Sequence, residues 1–179
     1  CEQWLSYSEH AYNYQLKDYN CDLNTKRKKK IVIFTRSLSS SKNRWGEIYD
    51  LINALENTDV KIKIKPRGNF QPLDSQKNSQ LDLSTSELIN WCDIVVSHTS
   101  SVLVEAVIKR KKILFLEHLS KFKEDLLIRD YNCFTKITSD IQLTNFIKEF
   151  KIKNENYHQN SKFLEKVLGK NYKEGNILE

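Results

Sequence analysis

The residues best suited to chemistry stand together as His98-Thr99-Ser100-Ser101, with Glu105 just beyond them. Ahead of them, Ile94–Ser97 is a short β-branched apolar run that predicts a buried strand. After them, Val102–Ile108 contains no Gly or Pro and predicts a helix. A strand handing over to a helix through hydroxyl residues gathers backbone N–H groups and side-chain donors at the positive helix end, where phosphate is the usual occupant. A Ser or Thr there is equally an ordinary N-cap worth about 1 kcal/mol, so Thr99, Ser100 and Ser101 carry both readings. Glu105 shares the helical face of Ser101 one turn on. It is either an acceptor for ribose hydroxyls or a solvated surface glutamate. His98 is either catalytic or a core or capping histidine.

Similar chemistry recurs at other strand ends. Residues 31–34 predict the first buried strand, and the segment after it, which includes Arg36 and Ser37, is rich in hydroxyls and bases before a helix over 45–57. Val60–Lys65 alternates apolar and basic residues and predicts a half-exposed strand ending in Lys65-Pro66-Arg67-Gly68-Asn69. Lys65 and Arg67 are there either as anion ligands or as parts of a basic surface turn. Residues 113–116 predict a further strand that ends at Glu117 and His118, both possible donor contacts.

Around these loops the pattern is regular. Ser84-Thr85-Ser86-Glu87 has the capping-box form before a short helix with Leu88, Ile89 and Cys92 inward. The basic run 109–112 is placed to complement the negative end of the preceding helix. Phe122, Leu126, Leu127 and Ile128 suggest a short helix, and residues 133–137 a last strand. Ser139 and Gln142 open a helix whose Leu143, Phe146, Ile147 and Phe150 form one apolar stripe. Residues 154–160 are expected to be a polar linker, followed by a helix marked by Phe163, Leu164, Val167 and Leu168 and ended by Gly169.

About five strands alternating with helices predict an α/β fold, a Rossmann-like doubly wound parallel sheet with helices on both faces. Right-handed crossovers then put every strand-to-helix loop on one edge. The division expected is a connecting segment over 1–29, a Rossmann-like domain over 30–150, and a linker with closing helix over 151–179. Neither GxGxxG nor GxxxxGKS occurs, so any phosphate must be held by hydroxyl and basic groups.

Composition narrows the classes. The 179 residues carry 29 basic and 23 acidic side chains, a net charge of +6 that favours anionic partners. The basic clusters do not share one helix face and are not interleaved with aromatics, which argues against nucleic acid. The four cysteines have no metal spacing and suggest a reducing compartment. No apolar run approaches the roughly 20 residues of a membrane span. Tyr7, Tyr12, Tyr14 and Tyr19 are expected to pack on this domain or on a preceding one, and the absence of methionine suggests a piece of a longer or processed chain.

Lys65-Pro66-Arg67, then Asp93-Ile94-Val95-Val96-Ser97, Ser100-Ser101-Val102-Leu103, Glu105-Ala106 and the 113–116 strand together resemble the C-terminal domain of GT-B glycosyltransferases that make surface polysaccharide. The order is most similar to capsule-polysaccharide transferases and to the CDP-glycerol glycerophosphotransferases of teichoic acid synthesis. Cys1-Glu2-Gln3-Trp4 resembles the entry to that domain, and Leu168-Gly169 with Glu174-Gly175-Asn176 its closing helix and tail.

The resemblance implies that the chain binds a nucleotide-activated sugar or polyol phosphate. Ser100 and Ser101 would hold the pyrophosphate, Glu105 the ribose, and Lys65 and Arg67 the charge developing on the leaving phosphate. It implies no cofactor and no metal, and a cytoplasmic setting with peripheral association at the inner membrane face. An N-terminal acceptor-binding domain would supply any catalytic base. Two rival readings use the same fold: a UDP-sugar 2-epimerase-like enzyme, and a non-catalytic nucleotide-binding or scaffold domain.

Overall fold

In the computed structural model, β1 (Lys29–Phe34) forms the strand on which the sheet is built. It is followed by β2 (Val60–Lys65), α1 (Thr85–Trp91), β3 (Ile94–Ser97), α2 (Val102–Ile108), β4 (Lys112–Leu116), a 3-10 turn (Glu117–Leu119), β5 (Phe134–Ile137), α3 (Asp140–Glu149) and α4 (Tyr157–Leu168). The structure describes residues 28–34, 55, 59–65, 82–97, 102–119, 133–150 and 157–168. The expected N-terminal segment, the loop over 70–83 apart from its last two residues, and the short helix around Phe122–Ile128 lie outside them.

All five strands are parallel, in the order β2-β1-β3-β4-β5. Ile31 stands between Ile62 and Ile94, and Ile33 between Ile64 and Val96. The register aligns apolar residues on both faces, as a doubly covered parallel sheet requires. On one face Ile31, Ile33, Ile62, Ile64, Ile94, Val96, Leu114, Leu116 and Ile137 pack against Leu55, Leu143 and Ile147. Leu55, the described residue of the helix expected over 45–57, is helical and buried. On the other face Val32, Phe34, Val95, Ile113, Phe115 and Phe134 meet Leu88 and Ile89 of α1, Leu103, Val104, Ala106 and Val107 of α2, and Phe163 and Leu164 of α4. Helices therefore cover both faces, and the α/β doubly wound expectation holds.

Local signals set the helix ends. Ser84 Oγ accepts from Glu87 N while Glu87 Oε2 accepts from Ser84 N at 2.7 Å, a complete capping box. At α3 the exchange is shifted: Ser139 Oγ accepts from Gln142 N, but Gln142 Oε1 accepts from Thr138 N and Thr138 Oγ1. The chain leaves α2 through a Schellman-type turn, with Lys111 N donating to Ala106 O and Arg110 in the left-handed region at φ 54. At the strand starts, Asp93 Oδ2 accepts from Lys30 N, Asp93 N donates to Lys30 O, and Asp93 O accepts from Lys112 N. One residue thus clasps β1, β3 and β4.

The structure revises several expectations. The basic run directly follows the C-terminal end of α2, and one of its side chains also reaches a second helix. Lys111 Nζ donates to Asn90 O and Cys92 O at the end of α1. α4 begins at Tyr157, inside the stretch expected to be linker. A polar turn extends that helix upstream of the apolar stripe anchoring it, and periodicity cannot register a turn with no apolar residue in place. Backbone pairing of Lys29 with Val60 likewise carries β1 two residues upstream of its apolar run.

Candidate functional site

Five parallel strands place Phe34, Lys65, Ser97, Leu116 and Ile137 at one edge of the sheet. β2 lies on one side of β1 and β3 on the other, so the connections diverge between β1 and β3. In open parallel sheets that divergence is where ligands bind, outside the strand C-termini. The segment leaving β1 carries Arg36 and Ser37, and the segment leaving β3 carries His98, Thr99, Ser100 and Ser101. These six residues, and Arg67, lie outside the described residues.

Glu105 is described, and it is not solvated. It occupies the first turn of α2, the helix that runs from the ligand edge back to the start of β4. Only 8% of the residue is exposed, among buried Leu103, Val104, Ala106 and Val107. Its Oε1 pairs with Lys109 Nζ at 3.1 Å across one helical turn. Lys109 Nζ also donates to Ser86 O at 3.3 Å and to Ser86 Oγ, both in the first turn of α1. The solvated-glutamate alternative is thereby excluded: α2 is packed by the sheet, α1 and α4, and its one carboxylate is drawn inside with a cation.

Lys65 ends β2, on the outer side of β1 from the divergence. Its ammonium donates to Leu83 O at 2.7 Å, just before the cap of α1. The nearby charge of Lys65 adds to the hydrogen bonds from Ser84 that hold the Glu87 carboxyl below its ordinary value. The first turn of α1 is therefore bracketed by two lysines, Lys65 from β2 and Lys109 from α2. Further down the same face, Lys63 stands 4.5 Å from the centroid of the Trp91 ring, with Lys30 at 5.8 Å.

Glu117 and His118 form the turn after β4. His118 Nδ1 lies 3.1 Å from Ile137 O and Nε2 lies 2.9 Å from Asp140 Oδ1. A carbonyl only accepts, so Nδ1 is the donor to Ile137 O, and Nε2 faces the Asp140 carboxylate. His118 thus ties the end of β4 to the start of α3. Lys109, Ser86 and Asp140 were not among the candidate site residues; the sequence marked Lys109 and Ser86 only as parts of helix-end patterns. The Glu105-to-Lys109 spacing was visible there, but the partnership with Ser86 needed the helix packing.

No protein-family model matches the chain, and no curated protein matches it. Solved structures do. The wall teichoic acid polymerase TagF aligns with a TM-score of 0.51 at 16% identity, over 92% of this chain and 43% of that one. The glycosyltransferase SnogD from Streptomyces nogalater aligns at 0.52 and 12% identity, over 80% and 40%. A protein assigned as a UDP-N-acetylglucosamine 2-epimerase, from Listeria monocytogenes, aligns at 0.50 and 13%, over 85% and 47%. The chain has the Rossmann-like fold of a GT-B domain. It spans less than half the length of each of these three chains, in keeping with the resemblance to a C-terminal domain. Among the described residues, no helix is long and apolar enough to cross a membrane.

Proposed function

We propose that this chain is the donor-binding domain of a glycosyltransferase or polyol-phosphate transferase acting in surface-polysaccharide biosynthesis. The observation that carries the reading is the divergence between β1 and β3, from which lead the segment bearing Arg36 and Ser37 and the hydroxyl cluster Thr99-Ser100-Ser101. The likeness in fold to a teichoic acid polymerase and a glycosyltransferase supports it. In this reading Ser100 and Ser101, with Thr99, Arg36 and Ser37, cradle the pyrophosphate of a nucleotide-activated donor. Glu105 takes the ribose. Lys65 and Arg67 offset charge on the leaving phosphate, with Glu117 and His118 bordering the donor group. No metal or cofactor is called for. A separate acceptor-binding domain completes the cleft, at the inner face of the membrane.

The likeness to a 2-epimerase structure supports a second reading, in which the same edge binds a UDP-sugar for epimerisation. Calorimetric titration with CDP, UDP and CMP tests both, alongside Ser100→Ala and Glu105→Ala. Selective micromolar-to-millimolar binding that is lost in both variants is the expected result, and the preferred base names the donor class. Strict preference for UDP, with turnover of a UDP-sugar in the absence of acceptor, favours the epimerase. A folded chain that binds none of the three leaves the non-catalytic scaffold role.

A further inference from the structure

Glu105 and Lys109 are a charged pair placed where charge is expensive. The two side chains are 9% and 10% exposed, and the rest of the buried surface of α2 is apolar. Taking both ions out of water carries a large desolvation cost before their attraction is counted. Two apolar side chains would close the α1–α2 contact at no such cost, so packing alone gives this pair no reason to be charged.

The geometry points to a different task. The pair is made through Glu105 Oε1, and a carboxylate has room for about four hydrogen bonds, more than one ammonium supplies. Lys109 is itself fixed at its far side, where Ser86 O and Ser86 Oγ accept from its ammonium. Ser86 belongs to a helix whose start is locked by its capping box. The chain of contacts therefore runs from α1 through Lys109 to one oxygen of Glu105. It restricts the rotation of the carboxylate, in the first turn of the helix that starts from the ligand edge.

We infer that Lys109 is a positioning residue, held by Ser86, that presents the Glu105 carboxylate to the vicinal hydroxyls of a ribose. This rests on the nucleotide-donor reading and deepens it. Lys109 touches no ligand; it acts through Glu105 alone. Removing its ammonium leaves the carboxylate free to swing toward solvent, and that change takes an acceptor away from the ribose.

The test compares binding of CDP and UDP with their 2′-deoxy counterparts to the whole chain. The unsubstituted chain is expected to prefer the ribonucleotide by roughly tenfold, the worth of one hydrogen bond to a charged group. In Lys109→Met the preference is expected to fall below about twofold, with Lys109→Arg restoring it. Ser86→Ala, a milder change, is expected to lie between. Far-UV circular dichroism and thermal melts establish that each variant is folded at the temperature of titration.

A folded Lys109→Met chain that keeps the tenfold preference overturns the inference and leaves the donor reading standing. Equal affinity of the unsubstituted chain for ribo- and deoxynucleotides also overturns it, because Glu105 is then not on the ribose. Failure to bind any nucleotide overturns the donor reading and the inference with it.

Discussion

Lys109 Nζ and Glu105 Oε1 stand 3.1 Å apart with about nine-tenths of each side chain buried. Breaking such a pair from one side leaves a buried charge without its counterion. Lys109→Met should therefore destabilise the chain by about 3 kcal/mol or more. The double replacement Glu105→Leu with Lys109→Met should recover most of that loss, because no charge remains to be solvated. Urea unfolding of the two variants and the parent checks this. Equal losses in the single and double variants would mean that an uncompensated Glu105 charge is not what destabilises Lys109→Met.

Arg110 closes α2 with φ 54, where a side chain crowds the following carbonyl. Glycine meets no such penalty, although it loses more freedom on folding. Arg110→Gly should raise stability by about 0.5–1 kcal/mol, and Arg110→Val, branched at Cβ, should lower it. Both changes leave the ligand edge untouched, so nucleotide binding in Arg110→Gly should equal that of the parent.

Cys92 is 1% exposed beneath α1, and its thiol donates to Ile89 O at 3.3 Å. Burial pushes that thiol up to about 12 from an ordinary 9.0, and burial raises Cys133 to about 12 as well. Both stay protonated at pH 8 in the folded chain. In a background carrying Cys1→Ser and Cys21→Ser, iodoacetamide at pH 8 should leave both unmodified until the chain unfolds. The sign for stability follows from the same shift. The folded chain retains protons that the unfolded chain releases, so this contribution is complete below pH 9.0 and is lost as pH rises toward about 12. Chemical denaturation repeated across that range should show the midpoint falling, and less steeply in Cys92→Ala.

Much of this was legible along the chain because it is local. Strand β3 follows from a β-branched run, α1 from its capping box, and the stripe of α3 from helical spacing. The count of about five strands and their parallel sense followed from alternation with helices. The helix start at Tyr157 was not legible, because a polar turn carries no periodic signal. Nor was the service of Lys111 to a helix other than its own.

For the candidate site the division is sharper. Residue types alone pointed to hydroxyl and basic groups at strand ends, since donor chemistry is a property of the side chain itself. They could not decide whether Glu105 was solvated or enclosed, because its setting depends on α1 lying against α2, and no spacing encodes that contact. Strand order was likewise beyond the sequence: β2 and β3 pair with opposite edges of β1, and that choice rests on long-range pairing between distant segments. Sequence by itself determined the elements and the chemistry available at their ends. Tertiary structure alone decided which ends stand side by side and which charges are buried, because both depend on packing between residues far apart in the chain.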